Sequence, residues 1–109
     1  MSATARMCGS VLFLLLIGAA IVPAQSPGRV TVIYDAFGAS SALEKDWGFA
    51  ALVEYGGRRI LFDTGNNARI FEHNVRELGI DLSRLDAAVI SHRHGDHTSG
   101  LPYLLACNP

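Results

Sequence analysis

Cysteine, lysine and tryptophan are scarce in this chain of 109 residues, which holds two cysteines, one lysine and one tryptophan. Cys8 lies in an N-terminal segment that reads as removable, so a processed chain keeps Cys107 alone and an internal disulfide is excluded. No basic run occurs. The arginines are dispersed and the formal charge is −1, which argues against nucleic acid as a partner. Internal repeats and low-complexity segments are also missing, which excludes a solenoid. The one long apolar run, Val11 to Val22, is shorter than the ~20 residues that a spanning helix needs.

That run has a different use. Arg6 gives a positive n-region, the run itself an h-region, and Val22-Pro23-Ala24 a small-residue end before Gln25. This is the layout of a secretory signal peptide cleaved after Ala24. The expected product is exported, periplasmic or secreted, with no stable membrane anchor. It comprises residues 25–109, a length of 85, and loses Arg6, so its side-chain charge becomes −2. Cys8 precedes the apolar run, the wrong side for lipid attachment at the cleavage point. Without a disulfide so short an exported chain must rely on its core or a metal, and small cores are marginal.

Along the remainder, Arg29 to Asp35 is short and β-branched and predicts a strand. Residues 36–45 form a loop that can hold a helical turn at Ser41 to Lys45. Phe49 to Tyr55 and Arg58 to Asp63 are two more strands, and Gly56-Gly57 between them predicts a tight hairpin with positive φ at both centres. Asn66 or Asn67 can cap a helix running to about Leu78, with Ile70, Phe71, Val75 and Leu78 as its apolar stripe and Gly79 as its stop. His73 falls off that stripe and reads as a solvated helix residue. Asp86 to Ser91 predicts a fourth strand, buried on both faces to judge by Ala87 to Ile90. Thr98 or Ser99 should cap a last helix, Gly100 to Ala106.

Between the fourth strand and the last helix lies the densest chemistry in the chain. His92-Arg93-His94-Gly95-Asp96-His97 places three of the four histidines and a carboxylate within six residues. Imidazole nitrogen and carboxylate oxygen are ligands for zinc and related divalent ions. His92 and His94, two apart in an extended stretch, should face one side. Asp96 and His97 follow at the turn and either share that ion or hold a second one. Gly95 is expected to allow a sharp turn between them. Arg93 should point to solvent or a carboxylate, without a catalytic part.

The segment Ser91-His92-Arg93-His94-Gly95-Asp96-His97-Thr98-Ser99-Gly100-Leu101 resembles the signature of the metallo-β-lactamase fold superfamily. Ile60-Leu61-Phe62-Asp63-Thr64-Gly65 resembles its second landmark. The likeness covers residues 29 to 105 and implies an α/β (α+β) fold, the N-terminal half of a four-layer αββα sandwich with a mixed sheet and two helices. It further implies that His92 and His94 hold a first ion and that Asp96 and His97 hold a second. Asp63 would orient the ligand loop by hydrogen bonding. Zinc is the implied cofactor, two ions in a complete site, with iron and manganese as alternatives. The implied reaction is hydrolysis of a small-molecule carbonyl or phosphoryl centre by a metal-bound hydroxide, which Asp96 would orient as the catalytic carboxylate. Thioester hydrolases and iron-dependent sulfur dioxygenases share the motif. His97 stands where some β-lactamases carry arginine, which argues against that subgroup.

Trp47 to Glu54 and Leu78 to Leu82 are similar to a narrower branch, named for a dihydropterin ribofuranosylaminobenzene phosphate synthase. Complete members bring two further histidines and a bridging aspartate from later segments, whereas no histidine, aspartate or glutamate follows His97. Residues 25–109 are therefore expected to be a partial domain that lacks a C-terminal half or a partner chain. The other readings are a truncated metal-binding chain without catalysis of its own, and an interaction module whose partner supplies the missing ligands. Intact-mass and N-terminal analysis of the exported product should give Gln25 as the first residue, within two positions. Recovery of Met1 in a membrane fraction would overturn that assignment.

Overall fold

The computed structural model describes Ala24 and residues 26–109. The proposed signal peptide and its cleavage point lie outside the described residues. Four strands, β1 (Arg29–Tyr34), β2 (Ala50–Tyr55), β3 (Arg58–Phe62) and β4 (Ala87–Val89), form one sheet in that order. The first two pairings are antiparallel and β3–β4 is parallel. A parallel neighbour requires a crossover, here supplied by α1 (Ala68–Glu77) and a 3-10 turn at Leu82–Arg84. Two short helices follow, α2 (Gly95–Thr98) and α3 (Leu101–Cys107). Among the described residues no helix is long and apolar enough to cross a membrane.

Local chemistry accounts for most of these boundaries. Gly56 and Gly57 both have positive φ, 56° and 77°, as the two-residue hairpin requires. The Asn67 side chain accepts from the backbone N–H groups of Arg69 and Ile70 and so opens α1. Three expectations need correcting. No helical turn forms at Ser41 to Lys45. The last helix is preceded by Gly100 without a side-chain cap, because Thr98 and Ser99 are consumed in α2, where their hydroxyls donate to the carbonyls of His94 and Gly95. The fourth strand is exposed along its length rather than buried on both faces. It is short, with three residues, and lies at the edge of the sheet.

The covered face holds the core. Ile33, Tyr34, Ala50, Leu52 and Leu61 pack against Phe71 and Val75 of α1, Leu82, and Leu104 of α3. On the other face, strand register lines up two apolar rows, Val30–Val53–Ile60–Ala87 and Val32–Ala51–Phe62–Val89. Val30, Val32 and Val89 are exposed along these rows, Val30 at 65%, whereas Ala51 is buried and the Phe49 ring packs edge-on against Phe62.

Asn74 is a polar member of the buried set, with 0% exposure. Its amide donates to the carbonyls of Ile33 and Glu44, 2.8 and 2.9 Å away, and its Oδ1 accepts from the Glu44 N–H at 2.9 Å. One side chain thus ties α1 to β1 and to the loop that follows β1. An unsatisfied buried polar group costs about 1–3 kcal/mol. Asn74→Ala should therefore lower unfolding stability by about 2–3 kcal/mol in a urea titration. A loss below about 0.5 kcal/mol, the range of ordinary surface changes, would show that the amide is not a structural tie.

Candidate metal centre

Two chain segments build the site. β3 ends at Phe62, and Asp63 follows in the left-handed region at φ 57°. That conformation costs roughly 1 kcal/mol for a residue with a Cβ, so neighbouring contacts must hold it. Asp63 N–H donates to the Val89 carbonyl at 2.9 Å, which extends the β3–β4 alignment by one bond. Its carboxylate, 1% exposed, reaches the segment that leaves β4. Oδ1 accepts from Ser91 N–H at 2.7 Å; Oδ2 lies 2.7 Å from Ser91 Oγ and 2.7 Å from His97 Nδ1. Burial opposes ionisation of this carboxyl. The hydrogen bonds from Ser91 and His97 outweigh it and hold the group below the usual carboxylate range.

Thr64 adds a second clamp. Its N–H and Oγ1 both donate to the His97 carbonyl, at 2.8 and 3.1 Å, while Oγ1 accepts from Gly100 N–H at 3.1 Å. Ser99 N–H donates to Gly65 O at 3.0 Å. The Asp63-Thr64-Gly65 turn is thereby bonded to the loop and α2 at several points. A third segment joins through Phe49, whose N–H donates to Asp96 O at 3.2 Å. Close approach there depends on Gly48: its φ is 126°, and a Cβ would sit 2.4 Å from Asp96 O.

This frame brings His92, Asp96 and His97 together, with one ligand-type atom of each within 4.8 Å of the others. His97 Nε2 lies 3.4 Å from Asp96 Oδ2. The rings of His92 and His97 have centroids 4.2 Å apart. His94 falls outside this trio; its ring meets that of His92 nearly edge-on, with centroids 4.8 Å apart. His94 is the last extended residue before α2, at φ −67° and ψ 145°. The grouping therefore differs from the expected pairs, since His92 joins Asp96 and His97 rather than His94. Gly95 also departs from expectation: it opens α2 without positive φ, and a Cβ there would meet only Ser99 Oγ, 3.7 Å away. Arg93 is exposed. His73, half-buried on α1, reaches the Ala42 carbonyl at 3.3 Å and takes no part in the trio.

The donor set fits a divalent ion. It offers two imidazoles and a carboxylate, and each imidazole has its Nδ1 engaged, His97 on Asp63 and His92 on Ser91 Oγ at 2.8 Å. Rings fixed by an outer hydrogen bond are the usual arrangement around a bound metal. Beside the trio opens a cleft of about 390 Å³, walled by Phe37, Trp47 and Phe49 and reaching Asp96 and His97.

The family model of the metallo-beta-lactamase superfamily matches residues 48–106. The chain belongs to this superfamily. Among curated relatives it is 43% identical over 58 residues to an uncharacterized protein of Methanocaldococcus jannaschii, covering 53% of this chain and 22% of that protein. It is 42% identical over 57 residues to a ribonuclease Z of Clostridium botulinum, covering 52% and 17% of the two chains. A crystal structure of a metal-dependent hydrolase of the β-lactamase superfamily matches 71% of this chain and 27% of its own, with TM-score 0.58 and 38% identity. The chain thus spans about a fifth of the length of these curated relatives. The helix-backed mixed sheet is the α+β arrangement of the family.

The functional elements that the sequence did not announce are Ser91, Thr64 and Gly48. Ser91 stood next to the first histidine and Thr64 inside the Asp-Thr-Gly turn, so adjacency was a usable signal for both. Gly48 carried none. The two glycines give a paired test of the frame. Gly95→Ala should be tolerated, changing stability by no more than about 1 kcal/mol, with zinc uptake kept. Gly48→Ala should cost about 1–3 kcal/mol and weaken uptake, measured by thermal unfolding and calorimetry. Equal behaviour of the two variants would show that the 48–49 segment does not set the position of Asp96.

Proposed function

We propose that this chain carries the metal-holding loop of an exported, metal-dependent hydrolase that acts on a small-molecule carbonyl or phosphoryl centre. One observation carries the reading: His92, Asp96 and His97 converge on a frame in which the buried Asp63 carboxylate fixes the second imidazole nitrogen of His97. Three protein ligands meet the minimum for a catalytic ion with an open position. Zinc suits this donor set, and the same donors also serve iron and manganese. When bound, such an ion supplies Lewis acidity and activates water near neutral pH.

The chain's own residues do the rest. Asp96 has the acceptor oxygens to orient a polarised water, and its backbone carbonyl is held by Phe49 N–H, which limits its motion. Phe37, Trp47 and Phe49 give an apolar flank on which a substrate can lie next to the donors. A small molecule fits the charge pattern better than nucleic acid. Arg58, Arg59, Arg69 and Arg76 are each paired with a carboxylate, on Asp86, Glu54, Glu44 and Glu72. A second ion, as in two-metal hydrolases, needs His94 to turn inward or donors from further chain, whether a C-terminal half or a partner.

Metal analysis of the purified chain tests the reading. Equilibrated with zinc and desalted, it should retain about one ion per chain, the number that three ligands can serve. A chelator should remove that ion. His92→Ala combined with His97→Ala should abolish uptake, whereas His73→Ala should not change it. Undiminished zinc uptake in the double variant would overturn the ligand assignment, and with it the hydrolase reading.

A further inference from the structure

Ser91 joins the buried carboxylate to the first imidazole of the trio, and its single hydroxyl proton decides how. Asp63 Oδ2 is 2.7 Å from Ser91 Oγ, and Ser91 Oγ is 2.8 Å from His92 Nδ1. An ionised carboxylate only accepts, a hydroxyl donates one proton, and a neutral imidazole donates from one nitrogen and accepts at the other. If Ser91 donated to His92, two oxygens 2.7 Å apart, one of them charged, would face each other without a proton. The hydroxyl must therefore donate to Asp63. His92 Nδ1 must then be the donor to Ser91, which leaves the lone pair of His92 on Nε2.

The geometry points to Ser91 as a positioning residue that passes the acceptor character of Asp63 on to His92 and fixes that ring as the Nδ1–H tautomer. His97 acquires the same tautomer directly, because its Nδ1 lies 2.7 Å from the same carboxylate oxygen. One buried anion thus sets two imidazoles, one by contact and one through a hydroxyl. Both rings offer Nε2 for a metal, although free neutral imidazole of histidine favours the opposite form, with the proton on Nε2. Pre-setting the tautomer removes a proton shift that each ring would otherwise need before ligation. The inference takes the trio as a metal centre, yet its signature is a property of the metal-free chain.

The test uses the full chain, metal-free and 15N-labelled, at about pH 8, where imidazoles are largely neutral. Long-range proton–nitrogen correlation spectra distinguish the two tautomers of each histidine. In the unaltered chain His92 and His97 should both show Nδ1–H. Ser91→Ala keeps the backbone N–H that anchors the loop to Asp63 Oδ1, so the fold should survive and His97 should keep its signature. His92 alone should move to the Nε2–H form, and zinc affinity should fall roughly tenfold, the scale found for outer partners of metal ligands. Ser91→Thr should restore both the tautomer and the affinity. An Nε2–H form of His92 in the unaltered chain, or no change of tautomer in Ser91→Ala, would overturn the relay. Absent zinc uptake with the expected tautomers would instead count against the metal-centre reading and leave the relay standing.

Discussion

The site depends on one buried charge. Asp63 sits at the end of β3 in a backbone conformation that is unfavourable for it, and spends its carboxylate on the segment leaving β4. Fully desolvated, an isolated carboxylate would be costly to bury; here three donors surround it, and the price is met locally. Those donors belong to the residue before the histidine cluster and to its last histidine. The burial that destabilises Asp63 therefore acts as a demand that the loop take one shape. The left-handed turn at Asp63 and the positions of Ser91 and His97 are held together by this carboxylate.

Around that centre the fold is economical. The parallel step from β3 to β4 places the end of each strand on the same side of the sheet, so the turn after β3 and the loop after β4 become neighbours. Brought together in this way, two loops that are distant in sequence can share hydrogen bonds. α1 makes the crossover and Asn74 fixes it to β1, so the segment that positions the loops is stitched by a buried amide as well as by apolar packing.

Much of this was readable from residue order. The Gly56-Gly57 hairpin, the Asn67 cap and the histidine cluster each carry a local rule, and a local rule needs no tertiary knowledge. Asp63 stood out through its Asp-Thr-Gly turn, and its carboxylate bonds to Ser91 and His97, at the head and the end of the histidine cluster. What escaped depends on partners far along the chain. Ala87 to Ile90 look like a doubly buried strand, but apolar composition cannot tell a strand covered on both faces from an edge strand with one bare face. Asn74 carried no signal, because a polar helix residue usually marks solvent and its partners lie on β1 and the loop after it. Gly95 looked like a necessary hinge, although the need for glycine lay at Gly48, in a segment distant in sequence. The grouping of His92 with Asp96 and His97 depends on side-chain rotations at a turn, and sequence spacing does not set those.

The contact between Phe49 and Asp96 pins the inner wall of the cleft directly to α2. Gly48 and Phe49 are held against α2, while Phe37 and Trp47, the outer walls of the cleft, are 86% and 66% exposed and belong to the stretch before the pin. The stretch is itself tied at Glu44, to Asn74 and Arg69, and at Asp46, to Tyr34 and Asn66, so Phe37 and the residues before Glu44 are where the outer wall can change while the carbonyl of Asp96 stays where it is. The cleft thus has an inner wall bonded to the donor-bearing helix and outer walls carried by a separate loop. The outer wall can vary in shape and chemistry without any change to the residues that hold the centre together.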